Sequence, residues 1–85
     1  MRQLRNCKVG HFVKYKGVLC QVNCFHVDFF RERFATLVEV KHGLRHWYNV
    51  NATTKVEYIG ETATDEHGTT WVFHRRDPVE EWNNR

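Results

Sequence analysis

Residues 10–22 carry the sequence Gly10-His11-Phe12-Val13-Lys14-Tyr15-Lys16-Gly17-Val18-Leu19-Cys20-Gln21-Val22, and this stretch decides the fold that we expect. Val13 and Tyr15 alternate with two lysines, as residues on opposite faces of a β-strand do. Gly17 then supplies the backbone freedom that a hairpin turn needs, and a second run of β-favouring residues follows. The stretch therefore predicts two antiparallel strands joined by a tight turn.

β-strand patterns continue along most of the chain. We expect strands at Val9 to Tyr15, Val18 to Val27, Phe34 to Lys41, Leu44 to Val50, Lys55 to Ile59 and Thr69 to His74. The polar break Asn51-Ala52-Thr53-Thr54 favours a short 3₁₀ turn. Pro78 predicts that the last segment is a short helix or a loose tail. The expected fold is mostly β, with five to six antiparallel strands.

The length of 85 residues allows one hydrophobic core, so we expect a single domain over residues 1–85, with a barrel at about 9–60 and an additional strand and tail at 61–85. The sequence contains neither the apolar run of a membrane span nor the apolar core of a signal peptide near its start. Three cysteines are an odd number, which favours reduced thiols over a disulfide framework. We therefore expect a soluble, cytoplasmic protein that is a monomer or a weak homodimer and does not bind membranes.

Charge is distributed unevenly between the two halves of the chain. Residues 1–45 carry nine Lys or Arg against three acidic residues, a net charge of +6. Residues 46–85 carry four against seven, a net charge of −3. The first half is therefore the candidate surface for a polyanion, although mixed surface charge is also common in small soluble domains.

Residues 9–60 resemble the Src-homology-3-like barrels, and more narrowly the KOW-type half-barrel of translation and transcription factors, such as the first domain of elongation factor P. The matching residues are Gly10, Val13, Tyr15, Gly17 and Val22. The resemblance is limited to the strand pattern, because the loop at residues 29–33 has neither the lysine nor the glycine of that factor. Tudor-type barrels share the topology and bind ligands in an aromatic cage, for which the available residues are Tyr15, Phe25, Trp47 and Tyr48.

Cys20, Cys24 and His26 are the first candidates for chemistry, with Cys7 upstream. Alternate residues of a strand lie about 6.6 to 7 Å apart, which spreads these ligands further than a tetrahedral zinc site allows. Two interpretations stay open: the residues line the core, or they bind metal. None of the six histidines belongs to a recognisable catalytic pattern. We therefore expect no enzymatic activity, no metal and no cofactor.

Basic and aromatic residues are interleaved at residues 29–34 and 41–48. Small barrels bind nucleic acid by combining cations that contact phosphates with aromatic rings on which bases stack. The candidate nucleic-acid-binding residues are Arg31, Arg33, Lys41, Arg45, Trp47 and Tyr48. The alternative is that the aromatic residues fill the core and the arginines are solvated. The leading hypothesis is a regulatory protein that binds DNA or RNA with little sequence specificity.

The second hypothesis is a protein-interaction module that inhibits or modulates a larger host machine. Its candidate contact residues are Phe29, Phe30 and Trp82. Trp82 follows Pro78 in a charged segment, where it would either cap the barrel or dock on a partner protein. In size, the chain resembles the small host-directed proteins of bacteriophages.

Overall fold

The fold is mostly β, as the sequence predicts. The computed structural model describes residues 1–72, in which the elements are β1 Arg2–Gln3, the 3₁₀ helix η1 Leu4–Asn6, β2 Phe12–Tyr15, β3 Val18–Val27, β4 Arg33–Glu39, β5 Trp47–Asn51, β6 Lys55–Gly60, β7 Thr62–Thr64 and β8 Thr70–Val72. β3 begins and ends at the predicted residues. The end of the predicted strand at Thr69 to His74 and the segment after Pro78 lie outside the described residues.

Six strands form one antiparallel sheet in the order β1-β6-β2-β3-β4-β5. The strands from β2 to β5 follow one another as a meander, and β6 returns to pair with the free edge of β2. The edge strands β1 and β5 do not pair with each other, so strand pairing within residues 1–72 does not close a barrel. The turn after β5 nevertheless links distant parts of the sheet, because Ala52 N–H donates to Arg33 O at 2.9 Å and Arg5 N–H donates to Ala52 O at 2.8 Å.

One face of the sheet, here called the inner face, carries the main core. Its buried residues come from η1 and the segment after it and from all five longer strands: Leu4, Cys7, Val13, Cys20, Val22, Ala35, Leu37, Val50 and Val56. Tyr15, Val18, Tyr48 and Tyr58 pack against this cluster from positions that are partly buried. The strands and the η1 segment therefore cover one another, and burial of this apolar surface is the main source of folding free energy.

A β-bulge at Asn23 changes the faces of β3. Val22 pairs with Leu37 and Cys24 pairs with Thr36, so β3 contains one more residue than β4 at this point. Val22 therefore lies in the core, whereas Cys24 is moved to the opposite face and is exposed. Strict alternation along β3 placed Cys24 in the core together with Cys20 and Val22, and the bulge is the reason that it is not there.

The opposite, outer face is partly covered by the hairpin of β7 and β8. Phe12, Val40 and Ala63 are buried there, and Trp71 packs against them. A carboxylate organises the hairpin turn: Oδ1 of Asp65 accepts hydrogen bonds from the N–H groups of His67 and Thr69, and Oδ2 accepts one from Nε1 of Trp71. β7 has only three residues, and it lies between Ile59 and Thr69, where no strand is predicted from the sequence.

The short 3₁₀ turn predicted at residues 51–54 is a single hydrogen-bonded turn in the structure, and the 3₁₀ helix lies elsewhere in the described residues. At residues 51–54 the chain makes a single turn in which Thr54 N–H donates to Asn51 O. The 3₁₀ helix is η1 instead, where Leu4 is fully buried and its N–H donates to Thr54 O at 3.0 Å. Within residues 1–72, no helix has the length and apolar character needed to cross a membrane.

Candidate functional site

The structure separates the six predicted nucleic-acid-binding residues. Arg33 is the first residue of β4 and Arg31 lies two residues before it, whereas Lys41 lies two residues beyond the end of β4. At roughly 3.3 Å per residue, Arg33 and Lys41 are about 26 Å apart along the chain. The candidate residues at the two ends of β4 also lie on different faces of the sheet. Arg33 pairs with Val27 and is in line with the inner-face residues, whereas Trp47 pairs with Val38 on the outer face. The six residues therefore do not form one continuous surface.

The cations near the β4–β5 loop already have partners within the fold. Lys41 Nζ lies 3.5 Å from Oε1 of Glu39, which also lies 3.0 Å from Nδ1 of His46. Arg45 Nε donates to Lys41 O at 2.9 Å, and its Cζ lies 5.6 Å from the centre of the Trp71 ring. This end of the sheet has basic side chains, but local interactions hold them.

The aromatic residues available for a cage are only partly brought together. The rings of Tyr15 and Tyr48 meet edge to face on the inner face, with their centres 5.7 Å apart. Burial, followed by the charge of Glu39, raises the pKa of Tyr48. Trp47 is on the outer face with 61% of its surface exposed, and Phe25 lies toward the other end of β3. These four residues therefore do not form a single cage.

A cleft of about 330 Å³ lies at the Arg33 end of the sheet. Its lining comes from η1, from the end of β3, from the first residue of β4 and from the turn after β5: Arg5, Phe25, His26, Val27, Arg33 and Ala52. The backbone hydrogen bonds that Ala52 makes with Arg5 and Arg33 fix the three walls relative to one another. Residues far apart in sequence thus form one concave surface.

The lining of the cleft is cationic and contains no Asp or Glu among the described residues. Arg5 and Arg33 are exposed, and within residues 1–72 neither guanidinium makes an ion pair or a side-chain hydrogen bond. Phe25, with 39% of its surface exposed, adds an apolar aromatic wall. His26 also contributes to the lining, while its ring stacks on Phe34 with the centres 5.9 Å apart. Such a lining suits an anion that carries an aromatic group.

The loop at residues 28–32 continues directly from the walls of the cleft. Phe29 and Phe30 are 94% and 81% exposed, and their rings meet edge to face with centres 5.6 Å apart. Asp28 organises this loop, since its Oδ1 accepts hydrogen bonds from Phe30 N–H at 2.9 Å and from Glu32 N–H at 2.8 Å. Arg31 is held at a positive φ of 64°. Two aromatic rings are therefore presented to water by an ordered turn.

Cys20, Cys24 and His26 occupy three different environments. Cys20 is in the core, Cys24 is exposed on the outer face, and His26 stacks on Phe34. Burial, with a further contribution from Glu39, raises the pKa of the Cys20 thiol to about 12. In the part of the chain that the structure describes, no group of three or more His, Cys, Asp or Glu side chains could hold a metal ion.

Sequence analysis missed Arg5 as a candidate site residue. Arg5 lies outside every strand predicted from the sequence, and it reaches the cleft only because its N–H pairs with Ala52, 47 positions further along the chain. The excess of basic residues in the first half of the chain is the one signal that included it. Trp82, the third candidate for a protein contact, lies outside the described residues.

Comparisons with protein-family models, with curated protein sequences and with solved structures found no match to this chain.

Proposed function

We propose that this protein binds nucleic acid through the cleft between Arg5 and Arg33, without performing chemistry on it. The observation that carries the proposal is that two exposed guanidinium groups line one concave surface together with Phe25, with no carboxylate among them. Guanidinium groups bind phosphate oxygens through paired hydrogen bonds. An aromatic wall beside them suits a nucleobase, which has a flat apolar face.

The free energy for binding would come mainly from the phosphates. Each exposed guanidinium gains a charge-assisted contact when a polyanionic ligand binds, and the ligand releases condensed counterions. Binding through phosphates carries little sequence information, which agrees with the weak specificity expected from the sequence. The cations at Lys41 and Arg45 are less available, since local partners hold them.

We also propose that the sheet is a Src-homology-3-like barrel of the KOW or Tudor type. Support comes from the meander of β2 to β5 and from the return of β6 to the edge of β2. The backbone bonds of Ala52 to Arg5 and to Arg33 further support a sheet that curls toward closure. Small barrels of this size commonly present their ligand sites on the loops and strand ends at one end of the barrel.

The test is a salt titration of binding. Fluorescence anisotropy with a labelled oligonucleotide of about 12 nucleotides, a length within the range that small barrels cover, gives the affinity. The slope of log affinity against log salt is negative, and each lost phosphate contact reduces its magnitude by roughly 0.7 to 0.9, so Arg5→Ala with Arg33→Ala should reduce it by roughly 1.4 to 1.8. Lys41→Ala with Arg45→Ala is the matched control at the opposite end, and it should change the slope less.

Two outcomes would contradict the proposal. One is that neither DNA nor RNA binds at low salt. The other is that the loop pair, Lys41 and Arg45, controls the slope and the cleft pair does not. Circular dichroism and thermal unfolding of both double variants would show that a lost affinity is not a lost fold.

A second candidate function is a protein-interaction module, and the exposure of Phe29 and Phe30 favours it. Aromatic residues that are exposed in the free protein and become buried at the centre of an interface often contribute most of the binding free energy. Capture from a cell lysate with and without nuclease separates the two functions. Capture that nuclease abolishes supports nucleic-acid binding, whereas a stoichiometric protein that resists nuclease supports the second candidate.

A further inference from the structure

We infer that the protein binds single-stranded nucleic acid in preference to duplex, with unpaired bases stacked on Phe29 and Phe30 beside the arginine cleft. The inference rests on the proposed function and adds the form of nucleic acid that the site takes. It is carried by the ordered loop at residues 28–32, which keeps two phenylalanine rings almost fully in water.

The loop is built to hold these rings in place. The Asp28 carboxylate accepts two backbone hydrogen bonds, Asp28 N–H donates to Glu32 O at 2.9 Å, and Arg31 N–H donates to Asp28 O at 3.0 Å. Four hydrogen bonds therefore fix a loop of five residues. A rigid loop loses little conformational entropy when a ligand binds, which favours affinity.

Exposed aromatic rings match unpaired bases better than paired ones. In a duplex each base is stacked between its neighbours, and its flat face is not accessible to a side chain. In a single strand the faces are free, and stacking on an aromatic side chain contributes roughly 1 to 3 kcal/mol per base whatever the base is. Phe29 and Phe30 thus offer stacking surfaces that a duplex cannot use without being opened.

The position of the loop places phosphate contacts next to the stacking surfaces. Val27 and Arg33 flank the loop and also line the cleft. Arg31 lies within the loop and is exposed. A strand whose bases stack on the two phenylalanines would therefore pass its backbone along Arg31 and Arg33 toward Arg5. The loop also contains two acidic residues. Glu32 is exposed, whereas Oδ1 of Asp28 accepts backbone hydrogen bonds within the turn.

The first experiment compares single strands with duplexes of the same sequence, at the same salt concentration, by fluorescence anisotropy, using both DNA and RNA. The wild-type protein should bind the single strand more tightly. Phe29→Ala with Phe30→Ala should weaken single-strand binding at least about fivefold, which corresponds to the loss of one stacked base, and should change duplex binding little. Leu44→Ala is the control, because Leu44 is an exposed apolar residue, at 92%, in the loop at the other end of β4.

The second experiment tests whether the loop geometry matters. Asp28→Ala removes the acceptor of two hydrogen bonds and one negative charge, whereas Asp28→Asn removes the charge and keeps an acceptor oxygen. Single-strand affinity should fall with Ala relative to Asn. A single strand that contains 2-aminopurine reports base stacking through its fluorescence, which an electrostatic contact alone would not change. The change in 2-aminopurine fluorescence on binding should be present with Asp28→Asn and reduced with Asp28→Ala.

The outcomes separate this inference from the proposed function. Equal affinity for single strand and duplex, or a Phe29 and Phe30 double variant that keeps single-strand binding, would overturn the inference while cleft-dependent binding could still stand. Failure of every nucleic acid to bind would overturn both. If the double variant instead loses a protein partner and keeps nucleic-acid affinity, the two rings belong to a protein interface.

Discussion

The hydroxyl of Tyr58 lies 2.7 Å from Nδ1 of His11, a residue that is 7% exposed. A hydrogen bond thus joins β6 to the segment before β2, and the guanidinium of Arg2 lies 3.9 Å from the centre of the same tyrosine ring. We predict that Tyr58→Phe, which removes only the hydroxyl, lowers the free energy of unfolding by about 1 kcal/mol. Denaturant unfolding measures the change. Tyr48→Phe is the matched control, because the Tyr48 hydroxyl makes no hydrogen bond within residues 1–72, and a loss as large in the control would contradict the assignment.

The three thiols should differ in reactivity. Cys24 is exposed, whereas Cys7 and Cys20 are buried, and burial raises the pKa of both buried thiols. Because the thiolate is the reactive form, we predict that a thiol reagent at neutral pH labels one equivalent rapidly and two more only after unfolding. Cys24→Ser should abolish the rapid phase. Rapid labelling of a second thiol in the native protein would contradict the burial of Cys20 or Cys7.

Low pH should loosen the β7–β8 hairpin before the rest of the fold. The hydrogen bond from Trp71, together with those from the N–H groups of Thr69 and His67, holds the pKa of Asp65 below its usual range. A group whose pKa is lowered in the folded state stabilises the fold fully above its unfolded pKa of about 3.9 and loses that effect as the pH falls through the folded pKa. The indole N–H resonance of Trp71, followed by NMR from neutral to acid pH, should shift below about pH 4.

Asp65→Asn is the variant that tests this assignment at neutral pH. Asparagine retains one acceptor oxygen for the loop N–H groups, but its amide nitrogen cannot accept a hydrogen bond from Trp71. We expect the Trp71 indole resonance to take its acid-state position already at neutral pH and to depend less on pH. An unchanged resonance in this variant would show that another group holds the indole.

Leu37 should be among the most sensitive positions in the core. It is fully buried on the inner face, in the middle of β4, and it pairs with Val22 on one side and with Tyr48 on the other. We predict that Leu37→Ala lowers the free energy of unfolding by about 2 to 5 kcal/mol, because it removes buried methyl groups and leaves a cavity. Leu44→Ala, at an exposed position, should change it by less than about 0.5 kcal/mol. Similar losses for the two variants would contradict the position of the core.

Local patterns explain why much of the sheet could be predicted. The Lys16-Gly17 turn and the alternation on both sides of it specify β2 and β3 from neighbouring residues alone. The cleft could not be predicted in the same way, since the contact of Arg5 with Ala52 depends on how the whole sheet curls. Charge and aromatic content identified Arg31, Arg33 and the two phenylalanines, and the strand predicted at Phe34 to Lys41 already implied that Lys41 lies at the other end of β4 from Arg33.

The bulge at Asn23 gives the β3–β4 hairpin two parts with different tolerance to mutation. Before the bulge, β3 contributes Cys20 and Val22 to the core, so substitutions there lower the free energy of unfolding. Beyond it, residues 24–27 are all exposed. Substitutions in the part of the hairpin beyond the bulge could therefore change what the protein binds, while the rest of the sheet continues to fold.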